Sequence, residues 1–105
     1  MIARIWRGWT LPNEAAAYER IVRGEVIPRI EARRIPGFRH LDLMRREDGD
    51  EVEFVTIMWF DSLEDVKGFV GDDHEAAHVP AAARAVLTRF DERVAHYEVI
   101  DRREQ

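Results

Sequence analysis

The stretch that decides the fold is Glu51-Val-Glu-Phe-Val-Thr-Ile-Met-Trp-Phe60, which predicts a β-strand with two apolar faces. Side chains of a strand alternate between the two faces of its sheet. One set here is Val52, Phe54, Thr56, Met58 and Phe60, and the other is Val55, Ile57 and Trp59. A sheet with one wet face would instead alternate apolar and polar residues. We therefore expect helices to cover one face and a second copy of the chain to cover the other.

Three further strands are predicted around this one. Residues 2–9 alternate and are rich in β-branched and aromatic side chains, which is typical of a strand. Residues 38–47 predict a strand that reaches the central one through a hairpin turn at Asp48-Gly49. Residues 93–101 alternate again and predict a closing strand.

Helices are predicted between these strands. Apolar residues at helical spacing indicate a long amphipathic helix over residues 13–34, with a kink at Pro28. A short second helix follows the cap at Asp61-Ser-Leu-Glu64, and a third helical piece covers residues 73–90, interrupted at Pro80. The order βαββαβ predicts an α+β, ferredoxin-like sandwich with a four-stranded antiparallel sheet.

The length of 105 residues indicates one domain over residues 1–105, and the 46% of hydrophobic residues are enough to form its core. The absence of cysteine excludes a disulfide framework, a thiolate zinc site and a cysteine nucleophile. The net charge of −5 argues against a nucleic-acid partner. A membrane span needs about 20 consecutive apolar residues, and every apolar run in this chain is much shorter. We expect a cytoplasmic protein with no membrane partner.

Five short segments form a pattern that extends over about residues 1–100. They are Ile2-Ala-Arg-Ile-Trp6, Ile35-Pro-Gly-Phe38, Arg45-Arg-Glu-Asp-Gly49, Asp61-Ser-Leu63 and His96-Tyr-Glu-Val99. In their order and spacing they resemble the antibiotic-biosynthesis-monooxygenase-like family. The resemblance implies the ferredoxin-like fold and a dimeric α/β barrel, in which two sheets pair. Members of that family include cofactor-independent oxygenases of polyketide quinone precursors, haem-degrading enzymes and a quinol oxygenase.

The resemblance also suggests site residues. In the quinone-forming branch, an Asn and a Trp four residues later on the third strand hold substrate, and Thr56 and Phe60 stand at the matching positions here. In the haem-degrading branch the site has a first-strand Asn, a second-helix Trp and a haem-ligating His. The matching positions hold Ile5 or a neighbour, Phe69 and His78, of which only His78 keeps the residue type.

His78 also closes a second motif. The run His74-Glu-Ala-Ala-His78 spells H-E-x-x-H, which on a helix would turn two imidazoles toward a zinc ion. Pro80 follows two residues later and no third ligand continues the motif, so we expect no metal site. His78 alone could ligate a haem iron or act as a general base.

Two arginines of the first strand lie on opposite faces. Arg7 shares a face with Trp9, and we expect this face to point toward the helices, where Arg7 could bind a carboxylate or enolate oxygen. Arg4 lies on the other face, where we expect an ion pair with Glu98 inside the barrel, because buried charges need partners.

Two classes of function follow. The first is a cofactor-independent monooxygenase-like protein that acts on a small aromatic, quinol or polyketide-type substrate between sheet and helices. Its expected catalytic residues are His78 and Arg7. The expected substrate-binding residues are Trp9, Tyr18, Thr56, Phe60 and Phe69. The second class is a non-catalytic or regulatory dimer that binds a hydrophobic ligand in the same pocket. Haem binding or degradation through His78 is a further alternative.

Overall fold

The computed structural model describes all 105 residues and contains one antiparallel sheet with helices packed on one face. Its strands are β1 (Ile2–Thr10), β2 (Phe38–Asp48), β3 (Glu51–Phe60), β4 (Arg89–Phe90) and β5 (Ala95–Glu98). The order across the sheet is β2-β3-β1, and β4 and β5 both pair with the remaining edge of β1. The predicted α+β, ferredoxin-like fold is confirmed.

Four α-helical segments accompany the sheet. They are α1 (Ala15–Ile21), α2 (Ile27–Ala32), α3 (Leu63–Val70) and α4 (Ala81–Val86). A 3-10 turn at Pro12–Glu14 leads into α1. The side chain of Ser62 caps α3 by accepting a hydrogen bond from the Asp65 N–H, as expected for the predicted helix start. None of these helices is long and apolar enough to cross a membrane.

Pro28 lies in the first turn of α2 and does not end the helix. A π-helical turn just before it, Val22–Val26, joins α1 to α2. In this turn the N–H of Ile27 donates to the carbonyl of Val22, five residues back. Proline has no N–H to donate, and its ring would crowd the carbonyl of Gly24 in a regular α-helix. The wider turn keeps the chain helical on both sides of the proline.

The last strand differs from the prediction. A single strand over residues 93–101 was expected, but only the shorter β5 forms there, and β4 adds a second short strand at residues that were predicted to be helical. The chain between β4 and β5 leaves β1. This stretch pairs with an earlier loop instead. The N–H of Ala77 donates to the Glu92 carbonyl (3.1 Å), and the N–H of Val94 donates to the Glu75 carbonyl (2.6 Å). The sheet therefore has five strands instead of four. We call the paired segments 75–77 and 92–94 the ribbon.

The predicted helical piece over residues 73–90 is wrong for most of its length, since only α4 is helical there. The chain leaves α3 at Gly71 and does not become helical again until after Pro80. His74 and His78 therefore lie on a loop. The i, i+4 geometry that makes H-E-x-x-H a zinc motif does not arise.

The core is divided into two clusters along β3. In the first, Phe54 packs against Tyr18 of α1, with 4.6 Å between the ring centroids. In the second, Phe60 and Met58 pack against Val66 of α3. The opposite face of β3 carries three half-buried side chains, Val55, Ile57 and Trp59. Both faces of the strand are thus largely apolar, as its sequence indicates.

Two glycines in turns, Gly37 before β2 and Gly49 after it, differ in the space around them. Gly37 has φ +77°, and a Cβ atom there would overlap the carboxyl group of Asp65, whereas Gly49 has φ +62° with open space around it. We expect Gly49→Ala to lower the free energy of unfolding by about 1–2 kcal/mol, the cost of a left-handed non-glycine residue. Gly37→Ala should cost clearly more because it adds a steric clash. Urea denaturation measures both, and equal losses would contradict the clash.

Candidate functional site

An apolar cavity of about 140 Å³ lies between the sheet and the helices, where the two core clusters meet. Fourteen of its eighteen lining residues are hydrophobic, which is typical of a site for a small apolar ligand. Arg4, Trp6 and Thr56 contribute from the sheet. The walls come from α1, α2, the π-helical turn and the end of α3. Residues 77–80, α4 and the ribbon residue Val94 complete it.

The cavity exists because a small polar residue interrupts an apolar row. Thr56 is the one polar member of the β3 side chains that face the helices. Phe54 on one side packs under α1, and Phe60 on the other stacks near Phe69 of α3, with 5.9 Å between the ring centroids. Threonine fills less volume than these phenylalanines. The space between the two clusters is therefore left open.

Arg4 is the charged group of the cavity. It is only 7% exposed, and its Nη1 atom donates to the His74 carbonyl (2.6 Å) and to Nε2 of His96 (3.0 Å). The guanidinium also lies over the ring of Phe69, 5.9 Å from its centroid. Burial lowers the pKa of Arg4 to about 10, so the group stays positively charged at neutral pH. The expected ion pair with Glu98 is wrong.

His96 is held neutral by its surroundings. Burial, with further contributions from the charges of Arg4 and His74, lowers its pKa to about 4. Since an arginine can only donate, Nε2 of His96 accepts the hydrogen bond and the ring proton resides on Nδ1. The ring of His74 packs edge-on against that of His96, with 5.0 Å between the centroids. The imidazole of His96 on β5 and the backbone carbonyl of His74 thus hold the guanidinium of Arg4.

Four of the predicted site residues line the cavity. They are Tyr18, Thr56, Phe69 and His78. Burial raises the pKa of Tyr18 well above its usual range, so its phenol stays protonated and can donate a hydrogen bond. His78 is exposed and lies at the cavity rim. Phe60 is fully buried in the core beside the cavity and is not among its lining residues.

Arg7 and Trp9 lie on the opposite face of the sheet, which corrects the predicted orientation of β1. Arg7 is exposed and bonded to Asp91, with 2.9 Å between Nε and Oδ2. Trp9 is buried beneath the guanidinium of Arg89, 3.9 Å from the ring centroid, and donates to Asp48 (3.1 Å). The face that points toward the helices is that of Arg4. No group of three or more His, Asp or Glu side chains could hold a metal ion.

Three residues of the candidate site were not predicted as site residues from the sequence. They are Arg4 and Trp6, which line the cavity, and His96, which is bonded to Arg4. Trp6 is half-buried in the cavity and donates to the Asp91 carbonyl (2.8 Å). The signal that links them is strand register, because Arg4 lies opposite both Met58 of β3 and His96 of β5.

No protein-family model and no curated protein sequence matches the chain. The solved structures that resemble this chain include those of two proteins, Rv0793 and SnoaB. Rv0793 from Mycobacterium tuberculosis is 22% identical over 98% of both chains, with a TM-score of 0.58. SnoaB, a cofactor-independent oxygenase from Streptomyces nogalater, is 20% identical, with a TM-score of 0.53 over 96% of this chain and 95% of its own. The structure of a SnoaB mutant has a TM-score of 0.54 to this chain. The chain has the fold of these proteins.

The depressed pKa of His96 predicts a loss of stability in acid. In the unfolded chain this imidazole takes up a proton near pH 6.5, whereas in the folded chain it does so only near pH 4. The unfolded state therefore binds more protons between these values, and the free energy of unfolding falls as the pH drops through this window. We expect His96→Gln, which keeps an acceptor for Arg4, to reduce this loss.

Urea midpoints at pH 7 and pH 4.5 measure the effect. His40→Gln, which removes an exposed histidine of β2, serves as the control and should follow the unmodified protein. If His96→Gln loses as much stability between pH 7 and pH 4.5 as the unmodified protein does, His96 is not the cause of the acid sensitivity.

Proposed function

We propose that the chain is a cofactor-independent oxygenase that acts on a small aromatic or quinol-type substrate in the cavity. The observation that carries the proposal is the cavity itself, an apolar site whose few polar groups include Arg4, Tyr18, Thr56 and His78. Support comes from the shared fold with SnoaB, which is a cofactor-independent oxygenase. Fold alone does not determine function, so the substrate and the reaction are argued from the residues of the cavity.

The volume of the cavity favours a substrate with one aromatic ring. An apolar cavity of about 150 Å³ binds benzene, whereas pockets for drug-sized ligands run about 300–1,000 Å³. At about 140 Å³ this cavity matches the first class. A single-ring quinol or phenol therefore fits better than a multi-ring polyketide. A haem, which is larger than either, does not fit the cavity, so His78 is not proposed as its ligand.

The reaction needs no electron donor other than the substrate. A phenolate gives one electron to dioxygen, and the resulting radical and superoxide join to form a carbon–oxygen bond. The peroxide then takes up a proton, the ring carbon loses its hydrogen, and the oxygen–oxygen bond breaks. One oxygen atom stays in the quinone, and the other leaves as water with the two hydrogens that the phenol has lost. The protein contributes orientation, exclusion of water and proton transfer.

Four of the lining residues have a role in this scheme. His78 at the rim accepts the substrate proton and returns it to the departing oxygen. The hydroxyls of Tyr18 and Thr56 orient the substrate oxygens, and the ring of Phe69 packs against the substrate. Arg7, Trp9 and Phe60 were expected here too, but they do not line the cavity and have no part in the proposal.

Filling the cavity tests the proposal. Ala77 lines it, and Ala82 is an exposed residue of α4 that does not. An oxygen electrode with a panel of single-ring quinols and phenols should show uptake by the unmodified protein. We expect Ala77→Phe to reduce that uptake by about 100-fold, because the substrate no longer reaches its position. Ala82→Phe should leave it unchanged.

Two outcomes would contradict the oxygenase. One is the absence of oxygen uptake with every substrate of the panel, and the other is uptake that Ala77→Phe leaves intact. Ligand binding without uptake would favour the non-catalytic dimer. His78→Ala should lower the rate and remove one limb of its pH profile if this residue transfers the proton.

We also propose that two copies pair through the sheet face that the helices leave uncovered. Val55, Ile57 and Trp59 of β3 form an apolar row there, flanked by Ile5 of β1. Such a row exposed on a monomer would be an unusual apolar patch, and a second copy of the same face would bury it. The pairing of two such sheets would produce the dimeric α/β barrel that the sequence resemblance implies.

Sedimentation at micromolar concentration tests the dimer. We expect twice the 12.3 kDa mass of one chain, and Ile57→Asp should shift the protein to a monomer or unfold it, since a buried carboxylate is costly. Ile100→Asp is the matched control, because Ile100 is 91% exposed. A folded 12.3 kDa species as the sole form of the unmodified protein would overturn the pairing.

A further inference from the structure

Arg4 is a buried cation without an anionic partner. The eight ion pairs of the chain engage other arginines. Of the three acids on the adjoining loop, Asp73 and Glu75 face Arg93, at 3.7 and 3.4 Å, and the exposed Asp72 forms no ion pair. The partners that Arg4 does have, a carbonyl oxygen and the neutral imidazole of His96, carry no negative charge. Buried charges are ordinarily paired, because desolvation costs several kcal/mol per ion.

The free nitrogens of Arg4 remain accessible. Nη1 makes both of its hydrogen bonds, so Nε and Nη2 have no protein acceptor. Neither is enclosed, since the only fully buried side-chain polar atom without a partner is Oγ1 of Thr10. Arg4 also lines the cavity. Its unused donors are therefore at least partly accessible, and the mostly apolar lining of the cavity strengthens a charge interaction made there.

We propose that Arg4 binds the anionic oxygen of a single-ring aromatic ligand, a phenolate or an aromatic carboxylate, inside the cavity. This rests on the proposed function for its site and names the chemical class of the substrate. The two free donors of the guanidinium can hold one or two anionic oxygens, while the apolar walls take the ring. His96 and the His74 carbonyl are positioning groups, because they fix the guanidinium through Nη1.

The positive charge of Arg4 would promote ionisation of a bound phenol. A phenol inside an apolar cavity would normally resist ionisation, since burial disfavours the charged form. A cation at hydrogen-bond distance reverses that effect and favours the phenolate. The phenolate is also the form that gives an electron to dioxygen in the proposed reaction. Arg4 would therefore select an acidic substrate and hold it in its reactive state.

Binding of 4-nitrophenol tests this without any turnover, because its absorbance reports whether it is ionised. We expect the unmodified protein to lower the pKa of the bound phenol by about one unit or more, which is tenfold in the ionisation constant. In Arg4→Gln the sign should reverse, because the cavity remains and the cation is lost. Arg4→Lys should keep part of the shift. Arg7→Gln is the matched control and should bind as the unmodified protein does.

A second measurement needs no variant. Benzoate and benzamide have nearly the same shape and differ in charge, so competition with 4-nitrophenol compares them directly. We expect benzoate to bind at least tenfold more tightly, a difference of about 1.4 kcal/mol. Binding of benzoate shows whether the site accepts a carboxylate, and binding of ionised 4-nitrophenol shows whether it accepts a phenolate.

Several results would overturn the proposal. They are a bound pKa that is not lowered, a shift that persists in Arg4→Gln, equal affinity for benzoate and benzamide, or no saturable binding of any of these probes. The oxygen-uptake assay is independent of them. If the anions bind as expected and no phenol or quinol supports uptake, the oxygenase fails while the anion site stands.

Discussion

The pairing of β1 with β3 is the constraint on which the rest of the structure depends. In this register Arg4 lies opposite Met58 and Trp6 lies opposite Thr56, so these four side chains share the face beneath the helices. A shift by one residue would transfer every β1 side chain to the other face. The division of the core, the position of the cavity and the burial of one cation rather than another all follow from this register.

The sequence was sufficient for the fold class and for four of the residues that line the cavity. The two apolar rows of β3, the hairpin at Gly49 and the cap at Ser62 are local signals, and the structure agrees with each. The orientation of β1 was not predictable in this way. Its two rows, Ala3, Ile5, Arg7 and Trp9 against Arg4, Trp6, Gly8 and Thr10, each contain one arginine and one tryptophan. Alternation alone gives no preference between them, so only tertiary packing decides which row is covered.

The loop that carries His74 and His78 shows a different limit. Its alanines and charged residues have good helix propensity, which is why a helix was expected there. Two long-range backbone hydrogen bonds to residues 92–94 hold it in a non-helical conformation instead. Such bonds join segments that are distant in the chain, and no periodicity within either segment encodes them. The same pairing draws residues 92–94 away from β1, so the closing strand begins later than predicted and is separated from β4.

The ribbon also affects how molecules enter the cavity. Ala77 and Val94 line the cavity and belong to the ribbon, whose two inter-segment backbone hydrogen bonds each contribute about 1 kcal/mol. The sheet beneath is held by a continuous ladder of such bonds and opens far less readily. Local opening of the ribbon is therefore less costly than opening of the sheet, and it would widen access to the cavity. Amide hydrogen exchange at Ala77 and Val94 would then proceed by sub-global fluctuation, and a bound ligand would slow it without changing exchange in β3.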